Sequence, residues 1–188
     1  TSFVESATLQ AINGEVISVR EWDVDYDGVT FTKDPAYDNQ STFTRSLGSA
    51  GTYQVALRVT ASISGCAEML VKPVIVDAIP LATFIPDVTA GCSVLTVNFT
   101  NTSVLGQPDV IDRFVWEGDE RQGLGFLPIG TQSPSDPSFT NQFTYSFENS
   151  STVNKVVDVR LRAITINTCE TVSGAVAITI FPGTRSGF

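Results

Sequence analysis

Apolar and polar residues alternate at period two along "YQVALRV" (Tyr53–Val59) and again along "LTVNFTN" (Leu95–Asn101). That period puts successive side chains on opposite faces of an extended strand. Val, Ile, Thr and Phe fill such runs, while Gly, Pro, Asn, Asp and Ser cluster between them. This is the punctuation of short strands joined by loops. No stretch keeps its apolar residues in helical register beyond a turn or two. The pattern predicts an all-β chain.

The runs also recur. "VISVREW" (Val16–Trp22) resembles "VIDRFVW" (Val110–Trp116), and "TYQVALRVT" (Thr52–Thr60) resembles "VVDVRLRAIT" (Val156–Thr165). "GCAEMLVKPVIVDAIP" (Gly65–Pro80) resembles "TCETVSGAVAITIFP" (Thr168–Pro182). One unit of about a hundred residues therefore occurs twice, which suits two small domains. The expected division is 1–79 and 80–188, each a β-sandwich. Their join, "VDAIPLATFIP" (Val76–Pro86), has prolines and no Gly/Ser tract. It reads as a stiff spacer, and two such domains would stand end to end.

Composition narrows the function classes. The chain has 188 residues, 42% of them hydrophobic, which is enough for real cores. Its net charge is −9 and its pI about 4.3. That balance disfavours nucleic acid and anionic membrane surfaces and favours cations. No run approaches the roughly 18 apolar residues of a membrane-spanning helix. Thr1 to Arg20 has neither the basic start nor the apolar block of a signal peptide, so the sequence reads as a mature protein or a piece of one. Histidine is absent. This removes Ser-His-Asp and Cys-His catalysis, His-ligated zinc and most acid–base chemistry near neutral pH. The expectation is a protein that is not an enzyme.

The stretch "EWDVDYDG" (Glu21–Gly28) carries the densest candidate chemistry. With Trp22 on a central strand, Asp23, Asp25 and Asp27 would share the opposite face and repel one another. Calcium prefers such oxygen ligands. Counting Asp23 as position 1 of a calcium loop puts Gly28 at 6 and Asp34 at 12, as in an EF-hand with Asp as the last ligand. The other reading is a solvated hairpin turn over Asp25–Gly28, since Asp-Gly is a common turn dipeptide. The second unit offers Glu117, Asp119 and Glu120 at the matching place, a poorer cage.

"GTYQVALRVT" (Gly51–Thr60), with "WDVDYDG" (Trp22–Gly28) upstream, resembles the polycystic-kidney-disease (PKD) repeat. "ATFIPDVTAGCSVLTVNFTNTS" (Ala82–Ser103) is similar to the opening of PKD-like repeats in very large secreted surface proteins of Bacteroidota, some of them gliding-motility adhesins. The resemblance covers nearly the whole chain. The second unit departs from it in "WEGDERQG" (Trp116–Gly123) and in a long loop, "LGFLPIGTQSPSDPSFTNQ" (Leu124–Gln142). The resemblance implies immunoglobulin-like sandwiches acting as structural spacers of an extracellular, cell-surface filament. Neighbouring repeats would be the partners, with surface polysaccharide or other surface proteins at its tip. The alternative is a carbohydrate- or protein-binding accessory module of a secreted hydrolase.

Given that resemblance, the simplest reading of the cysteines is a Cys92–Cys169 disulfide; two unrelated thiols is the other. Cys66 occupies the place of Cys169 in the first unit. "SFVESAT" (Ser2–Thr8) resembles "NFTNTSV" (Asn98–Val104), so the partner of Cys66 would precede residue 1. The first domain is thus expected to be incomplete at its N-terminus and Cys66 unpaired by truncation. Asn39, Asn98, Asn101 and Asn149 head N-x-S/T sequons. Phe126, Phe139, Phe143 and Tyr145 are either core or an exposed binding patch.

Overall fold

The computed structural model describes residues 2–4, 14–120, 123 and 125–183. It divides into two compact units, Thr1–Val76 and Asp77–Phe188. The division falls a few residues ahead of the expected one. Both units are built from strands, and the chain is all-β.

The first unit contains β1 (Ser2–Val4), β2 (Ile17–Asp23), a 3-10 turn at Pro35–Tyr37, β3 (Thr42–Thr44), β4 (Gly51–Ala61) and β5 (Ala67–Val76). β1 pairs with β3, and β2, β4 and β5 form a second sheet in that order. Trp22 lies on β2 opposite Leu57 of β4. Its ring meets Phe43 of β3 edge-on at 5.0 Å, and Tyr37 stacks on Phe43 at 4.0 Å. These rings, with Val24, Val55 and Leu57, make a small core between the two sheets. Trp22 was expected on a central strand, but among the described residues β2 forms a ladder with β4 alone. Its other edge receives single bonds, from the Asp34 N–H to the Trp22 carbonyl (2.7 Å) and from the Asn39 N–H to the Arg20 carbonyl (2.8 Å).

The second unit contains β6 (Phe84–Pro86), β7 (Ala90–Cys92), β8 (Leu95–Asn101), β9 (Ile111–Asp119), β10 (Leu127–Gln132), β11 (Gln142–Phe147), β12 (Lys155–Thr165), β13 (Glu170–Val172) and β14 (Val176–Phe181). One sheet runs β10-β9-β12-β14-β7 with β13 also on β12, and the other runs β11-β8-β6. Every pairing is antiparallel except β7 on β14. Trp116, Phe99, Phe147, Leu161, Ile178 and Ile180 are fully buried between the sheets. Each such aliphatic side chain contributes about 1.5–3 kcal/mol by leaving water.

The repeat read in the sequence is a repeat in space. Trp116 pairs with Leu161 as Trp22 pairs with Leu57. Phe99 pairs with Phe143 as Phe3 pairs with Phe43, so the match of residues 2–4 to 98–100 holds in the sheet; residues 5–8 lie outside those described. Two expectations change. The long loop of the second unit is partly β10, which makes β9 a central strand. The supposed spacer is largely built into the second unit. Ala78, Pro80 and Ala82 are buried, the Thr171 hydroxyl donates to the Pro80 carbonyl (2.6 Å), and Leu81 bridges to Val104.

Candidate functional site

Asp23, Asp25, Asp27 and Asp34 do come together, lining one open concavity of the first unit. They do not share a strand face, because β2 stops at Asp23 and the chain then turns. Each carboxylate is already engaged. Buried Asp23 accepts the Thr32 N–H at 2.6 Å and the Asp25 N–H at 3.3 Å. Asp27 accepts the Val29 and Thr30 N–H groups, both at 2.7 Å, with Gly28 at φ +89° closing the turn. The Thr30 bond, then the Val29 bond, holds the Asp27 carboxyl below its ordinary value.

Arg45 fills the role expected of a cation. Its guanidinium reaches Asp25 at 2.7 Å and Asp34 at 3.7 Å. The other Asp34 oxygen accepts the Ala36 N–H at 3.0 Å. Backbone amides and one arginine thus divide the four acids among them. Among the described residues no group of three or more acidic, Cys or His side chains is placed to hold a metal. The set does not fit a calcium cage. It fits the turn reading, in which Asx-type bonds brace a loop.

The matching acids of the second unit are also consumed internally. Glu117, buried, receives Arg160 and Arg162, each at 2.7 Å. Arg160 also lies over the Phe126 ring at 3.9 Å. Asp119 accepts the Gly123 N–H at 2.6 Å, and Glu120 lies 3.3 Å from Lys155. Phe139, Phe143 and Tyr145 pack against the core rather than forming a free patch. Of the sequons, Asn101 and Asn149 are buried and the Asn98 amide donates to Asp87 at 2.9 Å. Asn39 is exposed.

The expected Cys92–Cys169 bridge is corrected: all three cysteines are free. Cys92 ends β7 opposite Phe181, beside the Lys155 end of β12. Cys169 lies beyond the other end, where its carbonyl accepts the Thr165 N–H at 2.9 Å. The full 11-residue length of β12 separates them. That is roughly 35 Å at strand rise, against the ~7 Å limit for bonded Cα atoms. Cys66 holds the equivalent turn position in the first unit, its carbonyl accepting the Ala61 N–H at 2.9 Å.

That turn carries what the sequence reading missed. In each unit the acid preceding β2 or β9 reaches across to it. Glu15 accepts the Ser64 N–H at 2.8 Å and also the Ser64 hydroxyl. That hydroxyl bond is the main reason the Glu15 carboxyl lies below its ordinary value. Asp109 takes the same place and accepts from the Asn167 amide at 3.4 Å. The signal was available: "EVI" (Glu15–Ile17) and "DVI" (Asp109–Ile111) repeat the acid in front of the matched strands.

No protein-family model and no curated protein matches this chain. Among solved structures, the fibronectin(III)-like modules of Clostridium thermocellum CbhA are similar at 16% identity and a TM-score of 0.37. The match covers 92% of this chain and 81% of that one. So distant a likeness carries no argument about function. The strands and their pairing define the class: a chain of two β-sandwich units built on one plan.

Proposed function

We propose that the chain is a pair of non-catalytic structural repeats, spacers in an extracellular filament or adhesin through which a gliding cell holds a surface. The observation that carries this reading is the duplicated frame. The same Trp–Leu pair, the same Phe–Phe pair and the same acid-latched turn are built twice in one chain. Repetition of one unit provides length, which a spacer needs and a single binding site does not. The finer assignment, to adhesion and gliding, is supported by the resemblance to PKD-like repeats. Neighbouring repeats are the first partners, with surface polysaccharide or surface proteins beyond them. The accessory-module alternative would be favoured by a row of free aromatic rings. Here Phe139, Phe143 and Tyr145 pack on the core and Phe126 lies against Arg160.

The test is in-frame removal of the coding segment in the source organism, together with co-sedimentation of the isolated chain with chitin and cellulose. The expected result is weaker attachment and slower spreading on glass, with the chain remaining in the supernatant. Unchanged attachment combined with tight pelleting would reject the spacer and leave the accessory module.

A further inference from the structure

We propose that Cys92 is bonded to the entrance-turn cysteine of the repeat that follows, so that a disulfide staples one repeat to the next. The inference rests on the tandem-repeat reading above. Free cysteine is among the side chains most often buried, yet Cys66 and Cys92 are exposed and Cys169 is half-buried. Packing does not account for them. Their places also recur: the Cys66 carbonyl accepts the Ala61 N–H and the Cys169 carbonyl the Thr165 N–H, so the same turn carries a cysteine in both units.

Within the second unit the entering chain passes along this turn. The Asn167 amide donates to Asp77 at 2.9 Å, and the Thr171 hydroxyl donates to the Pro80 carbonyl at 2.6 Å. Cys169 stands between these two contacts in the sequence. The departing chain passes along β7. Cys92 is the register partner of Phe181, the Ser93 N–H donates to the Phe181 carbonyl at 3.0 Å, and Gly183 lies against Ser93.

The repeat register brings these two ends to one residue. Lys155 pairs with Ile180 as Gly51 pairs with Val76. Phe181 therefore occupies the repeat position of Asp77, the residue to which the entrance turn of the second unit is bonded. A following repeat on the same plan sets its own turn on Phe181, where Cys92 already lies. Neighbouring extended segments are about 5 Å apart. A turn that meets Phe181 from the β7 side thus brings its cysteine within the ~7 Å between Cα atoms that a disulfide spans. This bond is not the bridge from Cys92 to Cys169 of one unit, whose ends β12 holds apart. As the new S–S bond forms, each cysteine gives up its thiol hydrogen. A small disulfide such as oxidised glutathione takes up both, its own S–S bond breaking to two thiols.

The experiment maps disulfides in the native polypeptide, with free thiols alkylated first and no reductant. The expected result is a Cys92 peptide linked to a peptide that carries the entrance-turn cysteine of a repeat beyond Phe188. Cys92 recovered alkylated, or linked elsewhere, in a polypeptide that does continue in such repeats overturns the inference and leaves the tandem-repeat reading standing. A polypeptide that does not continue in repeats overturns both. A second measurement reads the junction alone: the chain through Phe181 is continued by a second copy of 78–188 and treated with oxidised glutathione. Cys92 of the first copy should link to Cys169 of the second, while Cys66 and the first Cys169 alkylate. Cys66→Ser should leave the link intact, and Cys92→Ser in the first copy should remove it. Alkylation of the first Cys92 in the oxidised chain overturns the proposal.

Discussion

Thr168 stands at φ +67° in the turn after β12, where the first unit places Gly65 at φ +66°. The left-handed region crowds a Cβ against the following carbonyl, at a cost of about 1–2 kcal/mol, and more so for a β-branched residue. A backbone bond closes the turn in each unit, from the Ala61 N–H to the Cys66 carbonyl and from the Thr165 N–H to the Cys169 carbonyl, the second turn being one residue shorter. Thr168→Gly should therefore stabilise the second unit. The gain is about 1 kcal/mol after the extra freedom glycine has in the unfolded chain, or roughly 4 °C in melting temperature. Thermal melts of the two chains check this, and a lower melting temperature for Thr168→Gly would show that the threonine side chain contributes more than its backbone costs.

At the scale of strands, β5 and β14 are the same element in different surroundings. Val74 pairs with Tyr53 on β4, and Ile178 pairs with Val157 on β12. Ile178 is fully buried, while Val74 is only half-buried and Met69, Leu70 and Ile75 of β5 are exposed. β14 is flanked by β12 and β7 and lies over the aromatic core, whereas among the described residues β5 has β4 on one side alone. Amides of β5 should thus exchange with solvent at least ~100-fold faster than those of β14, because local opening follows local burial. Equal protection, measured by hydrogen exchange, would refute the comparison. The long strands were legible in the sequence because alternation and β-branching persist over many residues. β10 was not, since "LPIGTQ" breaks alternation with Pro and Gly and is held by pairing with β9. The disulfide failed for a related reason: spacing along the chain does not say at which end of β12 a cysteine will lie. The aspartates do line one concavity, and of the two roles the sequence left open their bonds are those of a braced turn; the share that Arg45 takes was not legible, because it lies 20 residues beyond Asp25.

At the scale of the whole chain, the net charge of −9 sets the response to acid. Among the described residues four carboxyls lie below their ordinary range: Glu15 through Ser64, Asp27 through Thr30, Asp87 through Asn98 and Asp136 through Ser138. A group whose pKa is lower in the folded than in the unfolded chain contributes stability above the unfolded value, about 4 for carboxylates. That contribution is lost as pH falls through the folded value. The melting temperature should hold level down to about pH 5 and decline below pH 4. Asp27→Asn should make the decline shallower. A melting temperature that rises on acidification would contradict the sign.

The exposed β5 also bears on how the chain behaves at high concentration. A ten-residue strand with one ladder partner among the described residues is a template on which foreign strands could stack. Its middle is occupied by Lys72 and Pro73. Pro73 has no N–H to offer, and the lysine charge resists being covered. Any ladder begun at Met69 and Leu70, or at Ile75, is interrupted before it spans the strand. The sequence of β5 thus limits runaway fibre growth from an edge that no strand of the described residues covers.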